Sequence, residues 1–405
     1  MIVETQLFFG KREASEISFQ ELKRRITFAV RSGGIQALML WNTGDPPLTT
    51  DIISLCHDLG AECHLWYPVL GDNTALQEAH LVEGHAGLEG YGPSGVWDAI
   101  RSSEENFAFH CPNEELAEGR IFDDFSRLFS SHPFDGAFID RIRYPSPANG
   151  FEMLLTCFCG FCAAKHEAAQ RGFRKGAEEL FSYLSLVRDE EFSGTGGIPG
   201  LFGIFGLDGL MKSRAEAVAA LAERFGEPVR SAGKRLGLDL FTPALAPLTG
   251  QDYRTLARLC DWIKPMIYRH AYGPAGLPLE LISLSKGLRA LAPRLSQKTI
   301  DRFAGSIVGE EGLFSEGRLS EIPRAVAQRE INAARFLTRD SNCSLHPGVE
   351  AVCHEFFSMR MTEDELLASV RSVGGADAVV LSWNLLYIPE SHFKAVKAML
   401  EKGGM

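Results

Sequence analysis

The 405-residue sequence lacks an apolar run long enough to cross a bilayer. Its first residues also lack a basic stretch followed by an apolar one, so no secretory signal peptide is expected. Basic residues are outnumbered, with 41 Lys and Arg against 52 Asp and Glu and a formal net charge of −11. Because phosphates repel an acidic surface, neither nucleic acid nor a membrane is an expected partner. These absences predict a cytoplasmic globular protein with reduced thiols.

The sequence does contain eight short apolar runs, most of them separated by segments with a helical period. The runs span residues 3–9, 35–41, 62–67, 136–140, 238–243, 262–268, 350–356 and 378–383. Helical segments span residues 19–31, 49–59, 113–129, 251–258 and 362–373. This alternation favours a parallel sheet with right-handed crossovers, and eight units predict a (β/α)8 barrel. We expect one domain over residues 1–405, with insertions at 68–133, 145–237 and 269–348 on the strand-to-helix side.

Three of the nine cysteines fall within six residues, at Cys157, Cys159 and Cys162. Disulfides explain this cluster poorly, because the total is odd and the first two thiols are too close to pair. Several cysteine thiolates close together in the sequence are typical of a binding site for a soft metal cation. Cys111, in another predicted insertion, completes a four-thiolate set that predicts a structural zinc ion, while His110 is an alternative ligand. No organic cofactor is predicted. The glycine-rich residues 193–200 lack the ending of a phosphate loop and no predicted strand leads into them, so they predict a mobile connection or lid.

Two carboxylates are candidate catalytic groups. Asp140 ends the fourth predicted strand on the same face as Gly136, and Glu355 lies near the end of the seventh. Glycoside hydrolysis needs two carboxyl groups facing across the anomeric carbon, about 5–5.5 Å apart in retaining enzymes and about 6.5–9.5 Å apart in inverting ones. Alternatively, Asp140 is a salt-bridged strand end, and a slip of one residue would replace Glu355 by His354. Glu350, at the start of the same predicted strand, is expected to be structural.

Aromatic and polar side chains end several other predicted strands, as expected for a carbohydrate cleft. The predicted substrate contacts are Arg143, Trp41, Asn42, Trp66, Tyr268, His270, Trp383 and Asn384. A core position is the alternative for any single aromatic residue, and Arg143 has an alternative role as the partner of Asp140. Lys264 is expected to point outward to the helices, and Asp239 is expected to be structural.

The cysteine pattern resembles that of the zinc-bearing β-galactosidases of glycoside hydrolase family 42, which are (β/α)8 enzymes. This resemblance implies a structural zinc ion, a nucleophile at Glu355 and a homo-oligomer. Strand 4 departs from that family, because it ends Asp140-Arg141-Ile142-Arg143-Tyr144-Pro145 instead of Asn-Glu. This string resembles a set of glycoside-hydrolase-like barrels with Asp, Arg and Tyr-Pro at this point. Together the resemblances imply a glycosidase acting on an oligosaccharide or glycoside, without specifying the sugar.

Two other functions fit the sequence. A non-hydrolytic carbohydrate-binding barrel is expected if Arg141 and Arg143 neutralise Asp140 and no acid faces it. A barrel lyase or aldolase is expected if Lys264 lies inside the barrel, or if a second, open metal site exists. A carboxyl group across the cleft from Asp140 favours the hydrolase over the binding protein.

Overall fold

A computed structural model describes residues 1–95, 106–165, 167–193, 195–273, 275–354 and 359–403. Eight parallel strands pair in chain order, and the eighth pairs with the first, so the sheet is a closed barrel. The strands are β1 (Ile2–Phe9), β2 (Ala37–Asn42), β3 (Glu62–Pro68), β4 (Gly136–Asp140), β5 (Arg235–Phe241), β6 (Trp262–Met266), β7 (Ser344–Leu345 and Gly348–Glu350) and β8 (Ala378–Ser382). Helices lie between the strands, and the predicted (β/α)8 fold is confirmed.

The described helices differ widely in length. They are α1 (Lys11–Glu16), α2 (Phe19–Arg31), α3 (Thr49–Asp58), α4 (Glu115–Ser131), α5 (Gly160–Lys165), α6 (Glu167–Leu186), α7 (Asp189–Phe192), α8 (Gly197–Ile204), α9 (Asp208–Ser231), α10 (Tyr253–Leu256), α11 (Leu277–Leu291), α12 (Gln297–Ser306), α13 (Arg324–Thr338), α14 (Glu363–Ser372) and α15 (Glu390–Glu401). The predicted helix over residues 19–31 is confirmed, and Ser18 caps it by accepting from the Glu21 amide. None of these helices is long and apolar enough to span a membrane.

Strand β7 differs most from its prediction, which placed it at residues 350–356. The observed strand ends at Glu350, and it is split at Pro347, which has no amide to donate to the sheet. Farther on, Cys353–His354 pairs antiparallel with Met359–Arg360, away from the barrel. The predicted strand bounds of 350–356 are therefore wrong, and Glu355, the predicted catalytic residue of that run, lies outside the described residues.

Large side chains fill the barrel interior. The inner cluster comprises Met39, Trp41, Trp66, Phe138, Trp262 and Val380. The rings of Phe138 and Trp262 stack with centroids 4.9 Å apart. Gly237 makes room for them, because a Cβ atom there would lie 2.1 Å from the Trp262 ring. The interior below this level is thus a packed core, and the polar groups of the strands gather above it at the carboxyl ends.

Candidate active site at the mouth of the barrel

A pocket of about 70 Å³ lies over this core, at the carboxyl ends of the strands. Its walls carry two carboxylates, three cations and a group of aromatic rings. The lining residues are Gln6, Trp66, Phe107, Asp140, Arg141, Arg143, Asp239, Phe241, Lys264, Met266, Tyr268, Ala275 and Trp383. The inward strand positions therefore place acids, cations and apolar ring faces in one cavity, as in many small-molecule sites.

Asp140 is held at the end of β4 by two hydrogen bonds. Its Oδ2 accepts from Trp66 Nε1 at 3.0 Å, and its Oδ1 accepts from the Arg141 amide at 2.5 Å. Arg141 adopts a left-handed backbone conformation with φ 54°, which is uncommon for a residue with a side chain. The turn after β4 thus fixes the Asp140 carboxylate at the pocket wall, where the alternation along the strand predicts it.

Asp239 and Lys264 form a buried ion pair inside the barrel. Lys264 Nζ lies 3.0 Å from Asp239 Oδ2 and 3.2 Å from Oδ1, and both side chains are almost fully enclosed. The expectation that Lys264 points to the helices is therefore wrong. Strand β6 begins with inward Trp262, and the two-residue period carries Lys264 to the same face. Asp239 faces inward for the same reason, two residues after Gly237.

Burial and charge shift the protonation of this pair. Burial raises the pKa of Asp239 to about 7, and the charge of Asp140 adds to the rise while the Lys264 ammonium opposes it. Burial alone would lower the pKa of Lys264, but the charges of Asp239 and Tyr268 outweigh it and raise that pKa. Burial also raises the pKa of Tyr268 to about 12. At neutral pH the site thus contains a charged lysine beside an aspartate whose pKa is close to the pH of the solution.

The two arginines after Asp140 have different environments. Arg141 Nη1 lies 2.5 Å from Asp72 Oδ2, and its guanidinium stacks over the Phe107 ring at 4.6 Å. The guanidinium of Arg143 lies between the rings of Phe109 and Phe241, 4.1 and 4.5 Å from their centroids. Arg143 lines the pocket, whereas Phe109 lies behind it.

The predicted substrate contacts divide into two groups. Trp66, Tyr268, Trp383 and Arg143 line the pocket, and Trp41 packs edge-on against Trp66 with centroids 5.5 Å apart.

The other three predicted contacts, like Trp41, are not among the residues that line the pocket. Asn42 donates to the Asp45 carbonyl at 2.7 Å and Asn384 to the Phe8 carbonyl at 2.9 Å, so both side chains stabilise loops. His270 contacts Arg269 at 2.9 Å.

Glu350 is an enclosed carboxylate outside the pocket lining. Its Oε1 accepts from the amides of His270 and Ala271 at 2.6 and 3.1 Å, while its Oε2 has no partner among the described residues. Burial raises its pKa to about 7, although these hydrogen bonds act in the opposite direction. Glu350 thus ties the loop after β6 to the end of β7, whereas the sequence predicted it at the start of that strand.

The four predicted metal ligands form a second cluster, in which all four sulfur atoms are buried and lie within 4.8 Å of one another. Cys111 Sγ is 3.4 Å from Cys159 Sγ and 3.5 Å from Cys162 Sγ. Backbone and side-chain N–H groups point to the sulfur atoms, including the Glu83 amide at 3.3 Å from Cys157. His110 instead lies against the Ala79 carbonyl at 3.1 Å.

This cluster fits a tetrahedral ion. Zinc–sulfur bonds of about 2.3 Å place the four sulfur atoms about 3.8 Å apart, close to the two short separations above. Cys111 precedes α4 in the segment between β3 and β4, whereas the other three cysteines follow β4. A metal bound here would therefore connect two long segments on the face of the barrel that carries the pocket.

The barrel is similar to solved structures. It matches the PgaB (BpsB) glycoside hydrolase domain from Bordetella bronchiseptica at 11% identity and a TM-score of 0.52, covering 98% of each chain. It also matches alpha-L-fucosidase isoenzyme 2 from Paenibacillus thiaminolyticus at 11% identity and a TM-score of 0.52, covering 100% of this chain and 50% of that one. No protein-family model and no curated protein sequence matches the chain. At this identity the likeness establishes the fold.

Proposed function

We propose that the protein hydrolyses a glycosidic bond of an oligosaccharide or glycoside in the pocket at the barrel mouth. The observation that carries this proposal is the presence of two enclosed carboxylates, Asp140 and Asp239, in one cavity with aromatic walls. Glycoside hydrolysis needs such a pair, and aromatic rings suit the C–H faces of sugars. Two similar barrels are a glycoside hydrolase domain and a fucosidase by name, but the site residues support the proposal more than the shared fold does.

Asp239 suits the part of the proton donor. Burial raises its pKa to about 7, so near neutral pH the ionised form that pairs with Lys264 coexists with the protonated form that can donate a proton to a leaving oxygen. Asp140, oriented by Trp66 Nε1 and the Arg141 amide, suits the ionised partner. Glu355 stays the partner implied by the family resemblance, so its variant belongs in the same experiment.

A structural zinc ion is the proposed occupant of the cysteine cluster. The four thiolates Cys111, Cys157, Cys159 and Cys162 offer a complete tetrahedral set with no open position for substrate. N–H groups such as the Glu83 amide would stabilise the negative charge of the sulfur atoms. The metal would order the segments around the pocket and take no part in bond cleavage. A carbohydrate is the proposed partner, and a homo-oligomer in the cytoplasm is proposed from the sequence alone.

The position of Lys264 favours a lyase or aldolase as a second candidate. An enclosed lysine at a barrel mouth can form a Schiff base with a carbonyl substrate, provided that it loses its proton. Here Asp239 lies 3.0 Å from Nζ and the pKa of Lys264 is raised, because the carboxylate outweighs the effect of burial. This charge state opposes Schiff-base formation, so hydrolysis is the better supported function.

A panel of aryl glycosides tests the proposal on wild-type protein and on Asp140→Asn, Asp239→Asn and Glu355→Gln. We expect wild type to release the aryl group from at least one glycoside, and the two pocket variants to lose that activity. Activity in all four proteins would contradict the assignment, and sugar binding without release would favour the non-hydrolytic alternative. For the lyase or aldolase, borohydride treatment with carbonyl sugars should leave no adduct on Lys264; a covalent adduct would favour that candidate.

A further inference from the structure

Arg143 has no carboxylate partner among the residues that the structure describes. Its nitrogens have no carboxylate oxygen within 4.0 Å among the described residues, and one hydrogen bond is observed, from Nη1 to the Tyr144 carbonyl at 3.0 Å. The residue is 4% exposed, and a guanidinium carries five N–H donors. Burying a cation without a paired anion costs free energy. A role in binding a ligand would account for the retention of this arginine.

Arg143 has N–H donors without a partner among the described residues, and its side chain lines the pocket. None of its nitrogens is both fully enclosed and without a partner, so those without a protein partner reach accessible space. That space is the pocket, which Arg143 lines. The rings of Phe109 and Phe241 cover the two faces of the guanidinium and leave its edge as the part that can meet a ligand.

The other charges of the pocket are already paired. Arg141 bonds Asp72, and Lys264 bonds Asp239. Asp140 is oriented by Trp66 and the Arg141 amide, with Arg141 Nε 3.9 Å away.

Glu280, whose charge also acts on Arg143, is used elsewhere. Its carboxylate accepts from Ser146 Oγ and the Ala148 amide, both at 3.0 Å. Burial lowers the pKa of Arg143 to about 10, which is still well above neutrality. Arg143 is therefore positively charged in the pocket at neutral pH.

We infer that the substrate carries a carboxylate on the sugar, as in a glycoside of a uronic acid, and that Arg143 binds this carboxylate. The inference rests on the proposed function of the same pocket. A planar guanidinium edge with free donors matches the two oxygens of a carboxylate, and the resulting charge-assisted bonds are stronger than those to a hydroxyl group. A sulfate ester on a sugar offers similar oxygens and is distinguished by experiment.

Calorimetric titration of the full-length protein with D-glucuronate, D-galacturonate, D-glucose, D-galactose and D-glucose 6-sulfate tests the inference. For wild type we expect a uronate to bind about tenfold to a hundredfold more tightly than the matching hexose, the range of a charge-assisted hydrogen bond. Arg143→Gln should remove this preference, and Arg143→Lys should restore part of it. Arg171→Gln, on an exposed side chain of α6, should keep the preference in full.

Equal binding of uronate and hexose by wild type would overturn the inference without requiring any variant to fold. Tighter binding of the sulfate than of both uronates would overturn the choice of carboxylate. The two proposals fail separately. Hydrolysis of neutral aryl glycosides without a uronate preference would remove only this inference. A uronate preference lost in Arg143→Gln, without hydrolysis of any aryl glycoside, would support the inference while removing the hydrolase.

Discussion

At the scale of single residues, Arg141 shows how the site is built. Its left-handed backbone, with φ 54°, costs of the order of 1–3 kcal/mol for a residue with a side chain. That conformation brings its amide to 2.5 Å from Asp140 Oδ1 while its side chain bonds Asp72. A strained backbone conformation persists only where surrounding contacts stabilise it. Here the contacts of Arg141 with Asp72 and Asp140 stabilise it, and they also fix the position of the Asp140 carboxylate.

The role of Asp239 predicts a falling pH profile. Since the pKa of Asp239 is raised to about 7 by burial, the proton needed by a general acid is lost above that pH. We expect kcat/KM for an accepted aryl glycoside to fall about tenfold per pH unit above about 8. Initial rates between pH 5 and 9 give the profile. A rate that stays constant over this range would rule out Asp239 as the proton donor.

Glu350 predicts a pH-dependent stability. Burial raises its pKa to about 7, so the folded state holds a proton that the unfolded chain releases near pH 4.5. The contribution of Glu350 to the free energy of unfolding is therefore fully present below about pH 4.5 and is lost as the pH rises through about 7. For a pKa shift of this size the loss is about 3 kcal/mol. Glu350→Gln should therefore become more stable relative to wild type as the pH rises.

Urea unfolding at several pH values measures this difference. Glu223→Gln, at an exposed position on α9, is the matched control and should show no such trend. A difference between Glu350→Gln and wild type that is independent of pH would contradict the account of the buried carboxylate.

At the scale of secondary-structure elements, the fold could be predicted from the sequence, but the exact ends of the strands could not. The (β/α)8 fold was predictable because eight apolar runs alternate with helical segments. Asp239 was missed because β5 begins at Arg235, three residues before its prediction, which moves Asp239 from the start of the strand toward its end. Lys264 was missed because its charge suggested exposure, while its packing is decided by the distant Asp239. Such pairing depends on tertiary structure, which one sequence does not display.

The cysteine cluster predicts a metal-dependent connection between the segments after β3 and β4. Cys159→Ser should lower the zinc content of purified protein from about one ion per chain to near zero, and should lower the thermal midpoint, because metal binding contributes folding free energy. Elemental analysis and thermal unfolding measure both effects. Cys343→Ser, a half-buried thiol outside the cluster, is the control and should change neither. Full zinc occupancy in Cys159→Ser would contradict the four-ligand site.

At the scale of the whole molecule, the barrel divides its interior between stability and function. Apolar rings such as Phe138 and Trp262 fill the lower layers, while the same alternation on β4, β5 and β6 brings Asp140, Asp239 and Lys264 together above them. A closed barrel is what makes acids from separate strands converge over one cavity. The chain carries a formal net charge of −11, whereas the pocket lining carries three cations and two carboxylates, so the charge balance of the site differs from that of the whole chain.

The most direct test of the account is the ratio of kcat/KM between wild type and Asp140→Asn on an aryl glycoside that wild type accepts. Asparagine keeps the size of the side chain and one acceptor oxygen but removes the carboxylate charge. We predict a loss of at least about a hundredfold, the lower range for a group that acts in the transition state. Asp123→Asn, an exposed carboxylate on α4, should retain wild-type activity. Equal kcat/KM for wild type and Asp140→Asn would contradict the proposed active site.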